Sequence, residues 1–154
     1  MSDLTELYQS IILDHNRRPR NFRAMENADR TAEGRNPLCG DEVTLWLRLD
    51  GDVIADASFL GTGCAISRAS ASIMTVAIKG ITRAEFDMLF DRFRGLVTKG
   101  ADDSPGVQNA LGSLAAFSGV YKFPVRVKCA ILSWHALRAA LEAQPAVVST
   151  EGMA

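Results

Sequence analysis

Three cysteines, Cys39, Cys64 and Cys129, and one aspartate, Asp41, are the residues of this chain best suited to do chemistry. Three thiolates and a carboxylate form a plausible tetrahedral Zn²⁺ ligand set. Their surroundings read Asn36-Pro37-Leu38-Cys39-Gly40-Asp41, Gly61-Thr62-Gly63-Cys64 and Lys128-Cys129-Ala130-Ile131-Leu132, each setting its cysteine where a loop meets a regular element. A thiolate at such an edge is free to react. Asp41 alone reads equally well as a turn residue, because aspartate after glycine beside a strand is a common turn solution. Cys39, two positions earlier, makes it a ligand candidate. An odd number of cysteines leaves a thiol over in any closed disulfide framework, so metal or redox chemistry in a reducing cytosol is the better use.

The elements that must position these residues follow from periodicity. Leu4, Leu7, Tyr8, Ile11 and Ile12 recur at helical spacing and predict an amphipathic helix over about 3–15, which Pro19 prevents from continuing. Val43, Leu45, Leu47 and Leu49 alternate, and a second alternating run from Val53 to Leu60 follows Asp50-Gly51-Asp52, the signature of a hairpin. Antiparallel pairing brings the start of the first strand beside the end of the second, so Cys39 and Asp41 can share a metal with Cys64. A helix is expected to start at Cys64 and to close at Lys79-Gly80. Another is expected over Ala130–Leu141, with Cys129 at its start and Phe123-Pro124 as an extended lead-in. Both thiols would then sit at the positive end of a helix dipole, which favours the thiolate.

Between them, Thr82-x-x-Glu85 is a capping-box signature ahead of Phe86, Leu89, Phe90, Phe93, Leu96 and Val97. A further helix is expected from Ser104-Pro105, carrying Val107, Leu111, Leu114 and Phe117. Both stripes read as core faces. The predicted fold is α+β, a small antiparallel sheet of about three strands covered on one side by helices, with a helical insertion at about 81–119. The third strand is expected in the segment before Cys39.

With 154 residues, 47% of them hydrophobic, the chain has enough apolar surface for one domain over 1–145, with 146–154 expected to fray. The N-terminus lacks a basic region followed by an apolar run, and no stretch approaches about 20 apolar residues, so a cytoplasmic protein without membrane association is expected. A formal net charge of −1 gives no general attraction to nucleic acid. Arg17, Arg18, Arg20 and Arg23, extended by Arg30 and Arg35, read as a solvated connector ahead of a docking surface, and no aromatic platform accompanies them.

The strings Asn36-Pro37-x-Cys39-Gly40-Asp41, Gly63-Cys64-x-Ile66-Ser67-x-Ala69-Ser70-x-Ser72 and Phe123-Pro124-x-Arg126-x-Lys128-Cys129-Ala130-x-Leu132-Ser133-Trp134 resemble the IscU/SufU superfamily of iron–sulfur assembly proteins, which is also the NifU N-terminal type. The likeness extends from Leu13-Asp14-His15 and Pro19-Arg20-Asn21 to the last helix and is nearest to the SufU branch. Scaffold members carry a histidine before the third cysteine where this chain has Lys128. The long stretch between Cys64 and Cys129 has room for the helical insertion of SufU-like proteins.

The resemblance implies a zinc-dependent sulfurtransferase that accepts persulfide sulfur from a pyridoxal-phosphate cysteine desulfurase of SufS type and passes it to the iron–sulfur assembly machinery. By that carry-over Cys39 is the sulfur acceptor, released when a histidine of the desulfurase takes its place, while Asp41, Cys64 and Cys129 hold the metal. Three thiolates and a carboxylate on a divalent ion leave about two excess negative charges, so nearby cations are expected. Arg126 is assigned to supporting the acceptor and Lys128 to screening; the plain alternative makes both exposed strand-end residues. His15 reads as a helix-end cap or partner contact, and His135 lies more than a turn beyond Cys129. Two other functions use the same residues: a scaffold for a transient [2Fe–2S] cluster or iron, and a structural zinc adaptor that activates the desulfurase. The adaptor is disfavoured by the absence of closely spaced Cys-x-x-Cys pairs.

Overall fold

The computed structural model describes residues 3–37, 40–100, 111–143 and 148–149. Helix α1 (Asp3–Arg17) leads into strands β1 (Arg30–Asn36), β2 (Asp41–Asp50) and β3 (Val53–Thr62), then helices α2 (Ala65–Ile78), α3 (Arg83–Lys99) and α4 (Pro124–Leu141), with a short strand β4 (Val148–Ser149) last. The sheet order is β3-β2-β1-β4. β1, β2 and β3 form the expected antiparallel meander, and β4 adds a two-residue parallel edge to β1 at Gly34 and Arg35. Gly51, at φ +59°, supplies the backbone that the two-residue β2–β3 turn requires.

Alternation decides which face is covered. Val43, Leu45 and Leu47 of β2 and Ala32 of β1 point to the core, while Glu42, Arg48, Glu33 and Arg35 face water. α4 lies across β1 and β2, and α2 is held between α1, α4 and β3. Gly34 permits the close approach of α4: a Cβ there would stand 3.0 Å from Leu132 and 3.3 Å from Ala136. α2 is rich in Ala and Ser, and its small buried residues Ala69, Ser70, Ala71 and Ser72 let neighbours approach on several sides.

The insertion is anchored by aromatic rings. The capping box at Thr82 and Glu85 is formed, starting α3 where the sequence predicts. Phe93 and Phe86 stack on Trp134 of α4, with centroids 4.7 and 5.8 Å away, and the Trp134 indole N–H donates to Ser70 at 3.1 Å. The helix expected from Ser104 falls partly outside the described residues. Of its described part, Leu111 is α-helical and Gly112–Phe117 a 3₁₀ helix, because Gly112 at φ +54° breaks a continuous right-handed path. Leu111, Leu114 and Phe117 are buried as core residues all the same.

The arginine-rich connector is tied to the body. Arg20 pairs with Asp14 at 2.6 Å and Arg23 with Asp56 at 2.8 Å. Asn21, in the left-handed region at φ +57°, accepts from the Phe59 N–H at 3.0 Å and so covers part of the outer edge of β3. Truncating Trp134 to Ala empties the junction of α2, α3 and α4 and is expected to cost about 3–5 kcal/mol. Urea unfolding of the variant should show this as a lower midpoint with little change in slope; a loss below about 1 kcal/mol would contradict the packing described.

Candidate metal centre

The centre is built where β2, β3, α2 and α4 meet. β2 and β3 pair with Glu42 opposite Thr62, so Asp41 lies beside the turn that leads into α2. Asp41 is buried, and its Oδ1 accepts the Cys64 backbone N–H at 2.8 Å. Its Oδ2 stands 3.7 Å from Cys64 Sγ. One oxygen thus orients the carboxylate while the other remains beside the thiol. Gly63 makes this possible: at φ +144° it turns the chain, and a Cβ there would fall 2.1 Å from Asp41 Oδ1.

Cys64 is the N-cap of α2, and its sulfur accepts the Ser67 N–H at 3.4 Å. Cys129 comes from α4, but not from its start. The helix begins at Pro124, with Phe123 as an extended N-cap, so Cys129 lies in the second turn. Proline is favourable at the first helical position, and the Phe-Pro pair therefore opens the helix six residues before the expected Ala130. The helix dipole acts on Cys64 and not on Cys129, whose Sγ instead stands 3.5 Å from the Val125 carbonyl one turn back. The same helix replaces the strand end expected around Arg126 and Lys128. Arg126, three residues before Cys129, shares its face and lines the open depression of about 510 Å³ that also contains Cys64, Cys129, Phe123 and Val125. Lys128, adjacent to Cys129, is turned about 100° away along the helix and half-buried.

The ligand atoms of Asp41, Cys64 and Cys129 all lie within 4.8 Å of one another. The donor set fits zinc. Bonds of about 2.3 Å to sulfur and 2.0 Å to oxygen place tetrahedral S and O donors about 3.5 Å apart, close to the 3.7 Å between Cys64 and Asp41. Cys39 lies outside the described residues; in the sequence it falls within the β1–β2 connection, two positions before Asp41.

A residue that the motif reading passed over completes the surroundings. Asn36 is fully buried at the end of β1, pairs with Asp41 across the ladder and directs its Nδ2 to Cys129 Sγ at 3.5 Å. Its position was available from alternation, since Ala32, Gly34 and Asn36 share the core face while Thr31, Glu33 and Arg35 do not. A polar residue in that register asks for a buried partner.

The two histidines stand apart from this donor cluster. His15 Nδ1 is 2.7 Å from Ser72 Oγ, joining α1 to α2, and burial followed by the Arg20 charge lowers its pKa. His135 packs edge-on against Phe90, and burial, then Arg94 and Arg138, hold it neutral with a pKa of about 4.

The chain belongs to the family of the NifU-like N terminal domain, whose model matches residues 7–130. Within that family it is 45% identical over 140 residues to the zinc-dependent sulfurtransferase SufU of Bacillus subtilis, spanning 88% of this chain and 90% of the relative. It is 37% identical over 142 residues to the iron–sulfur cluster assembly scaffold protein IscU of Streptococcus pyogenes, spanning 92% and 87%. The crystal structure of a protein of Fervidobacterium islandicum assigned as an iron–sulfur cluster assembly scaffold for the SUF system superposes with a TM-score of 0.79 at 38% identity, over 88% of this chain and 97% of that one.

In the metal-free protein the Cys64 thiol is drawn from its ordinary 9.0 to about 6, first by a hydrogen bond from Cys129 and then by the Ser67 and Ile66 amides, against burial and the Asp41 charge. Because only the thiolate reacts, alkylation of Cys64 should rise with a midpoint near pH 6, well below that of an unfolded cysteine. Iodoacetamide rates across pH 5–9, read by peptide mass, test this. A midpoint above pH 8 would show that the cluster does not favour the thiolate.

Proposed function

We propose that this protein is a zinc-dependent sulfur acceptor, a single domain that takes persulfide sulfur from a cytoplasmic, pyridoxal-phosphate-dependent cysteine desulfurase of SufS type and hands it to iron–sulfur cluster assembly. The observation that carries this reading is the convergence of Asp41, Cys64 and Cys129, with ligand atoms within 4.8 Å of one another, beside an open depression that Cys64 and Cys129 line. Similarity to the B. subtilis sulfurtransferase supports the same chemistry.

Cys39 is the fourth ligand and the acceptor. Two residues of chain tether it within about 7 Å of the Asp41 Cα. Zinc, when bound, would keep the cysteines deprotonated near neutral pH. A metal-coordinated thiolate would be a blunted nucleophile, so the acceptor role asks for Cys39 as an uncoordinated thiolate. Its sulfur then attacks the outer sulfur of the desulfurase persulfide; the new S–S bond forms on Cys39 as the old one breaks, and the desulfurase cysteine departs as thiolate. Asp41, Cys64 and Cys129 remain as the anchored ligands. Arg126, at the mouth of the depression, offsets excess negative charge and supports the incoming persulfide, and Lys128 adds longer-range screening.

The rim suits a protein partner. Tyr121, Phe123 and Val125 are exposed, the last two by 56% and 51%, beside Lys122 and Arg126. Aromatic and aliphatic anchors among cations match a docking surface for the desulfurase. A second reading, a scaffold for a [2Fe–2S] cluster, is favoured by the likeness to the S. pyogenes scaffold and uses the same four ligands.

Alanine formation by the matching desulfurase, with and without zinc-loaded protein, separates these. The wild-type chain should stimulate turnover more than tenfold, and Cys39→Ala should abolish the stimulation while retaining the fold. Absence of stimulation by folded, zinc-loaded wild type would favour the scaffold.

A further inference from the structure

We propose that Asn36 is a positioning residue of the metal centre, whose side-chain amide directs an N–H at the Cys129 sulfur and keeps that sulfur a bound, unreactive ligand. The inference rests on the sulfur-acceptor reading for its purpose, but on geometry for its substance. Asn36 is fully buried, the last core-facing residue of β1, and its Nδ2 stands 3.5 Å from Cys129 Sγ. Among the described residues its Oδ1 has no hydrogen-bond partner. A buried amide with one end unsatisfied is costly, so the end that is used must matter.

That end is the donor. A metal-bound thiolate has lone pairs and no proton, so only the NH₂ face of an amide can meet it favourably. An N–H directed at sulfur draws charge from it, holds its lone pairs in orientation and makes it less nucleophilic, as outer-shell hydrogen bonds do for metal ligands in general. Cys64 receives the equivalent from the Ser67 backbone at 3.4 Å. Both described sulfurs of the centre therefore receive an N–H, from the backbone at Cys64 and from a side chain at Cys129, and the side chain can be removed by substitution. Asn36 and Asp41 are cross-strand partners, so one rung of the ladder carries a ligand on one strand and the orienting group of another ligand on its neighbour.

The test uses the full chain loaded with cobalt or zinc, without desulfurase. Asn36→Leu removes the donor, and Asn36→Asp replaces it with oxygen. Both variants should lower zinc affinity by about 10–100-fold in chelator competition. They should also shift the thiolate-to-cobalt charge-transfer band to longer wavelength and raise alkylation of Cys129 in the zinc-loaded protein. Native circular dichroism is required of the variant used; if Asn36→Leu loses it, Asn36→Asp decides, and loss in both would overturn the assignment by making Asn36 a determinant of the fold. An unmoved band with unchanged Cys129 alkylation would also overturn it. Wild type that shows the thiolate–cobalt band yet takes no sulfur from the desulfurase would remove the sulfur-acceptor reading and leave the role of Asn36 standing.

Discussion

The arrangement of Asp41 and Cys64 at the candidate metal centre depends on the hydrogen bond from the Cys64 backbone to Asp41 Oδ1, 2.8 Å across the junction of β2 with α2. It satisfies one of the orphan N–H groups that a helix start exposes, and it does so with a carboxylate, which the helix dipole also favours. The bond fixes the orientation of the carboxylate, which brings the other oxygen beside the Cys64 sulfur. Gly63 is a consequence of the same contact, since no side chain fits between the turn and that carboxylate. The register of the hairpin, the turn and the cap thus solve one problem together.

The second support is the junction of α4 with the sheet. Gly34 lets the helix lie close to β1, and Trp134, clamped by Phe86 and Phe93, joins it to α3. This seating brings the second turn of α4, rather than its end, over the β1–β2 corner, where Asn36 meets Cys129. A ligand inside a regular helix is held by the rigidity of its element, whereas a ligand in a connection has fewer backbone constraints.

Much of this was legible in the sequence because local signals agreed with the tertiary structure. Alternation on either side of Asp50-Gly51-Asp52 marks the hairpin, while its register, shifted by one residue between Arg48 and Leu49, sets Glu42 opposite Thr62 and so carries Asp41 to Cys64. Thr82 and Glu85 cap α3 as their spacing requires. Misreadings arose where one local signal has two structural meanings. Phe-Pro can be an extended lead-in or a helix start, and seating against β1 and α2 selects the latter, which moves Cys129 away from the helix dipole. Gly112 permits a left-handed backbone whose use no hydrophobic stripe reveals, so a 3₁₀ segment stands where an α-helix was expected. Asn36 was hidden by its motif: read as part of a loop string, it is in fact the terminal core position of β1.

The account holds that this centre separates two anchored thiolates from one that reacts, and the site of sulfur arrival tests it most directly. After exposure to a desulfurase and its cysteine substrate, alkylation and peptide mass analysis of the zinc-loaded protein should find the extra sulfur on the Cys39 peptide, with Cys64 and Cys129 unmodified. Extra sulfur on Cys64 or Cys129 in preference to Cys39, or on none of the three, would contradict it.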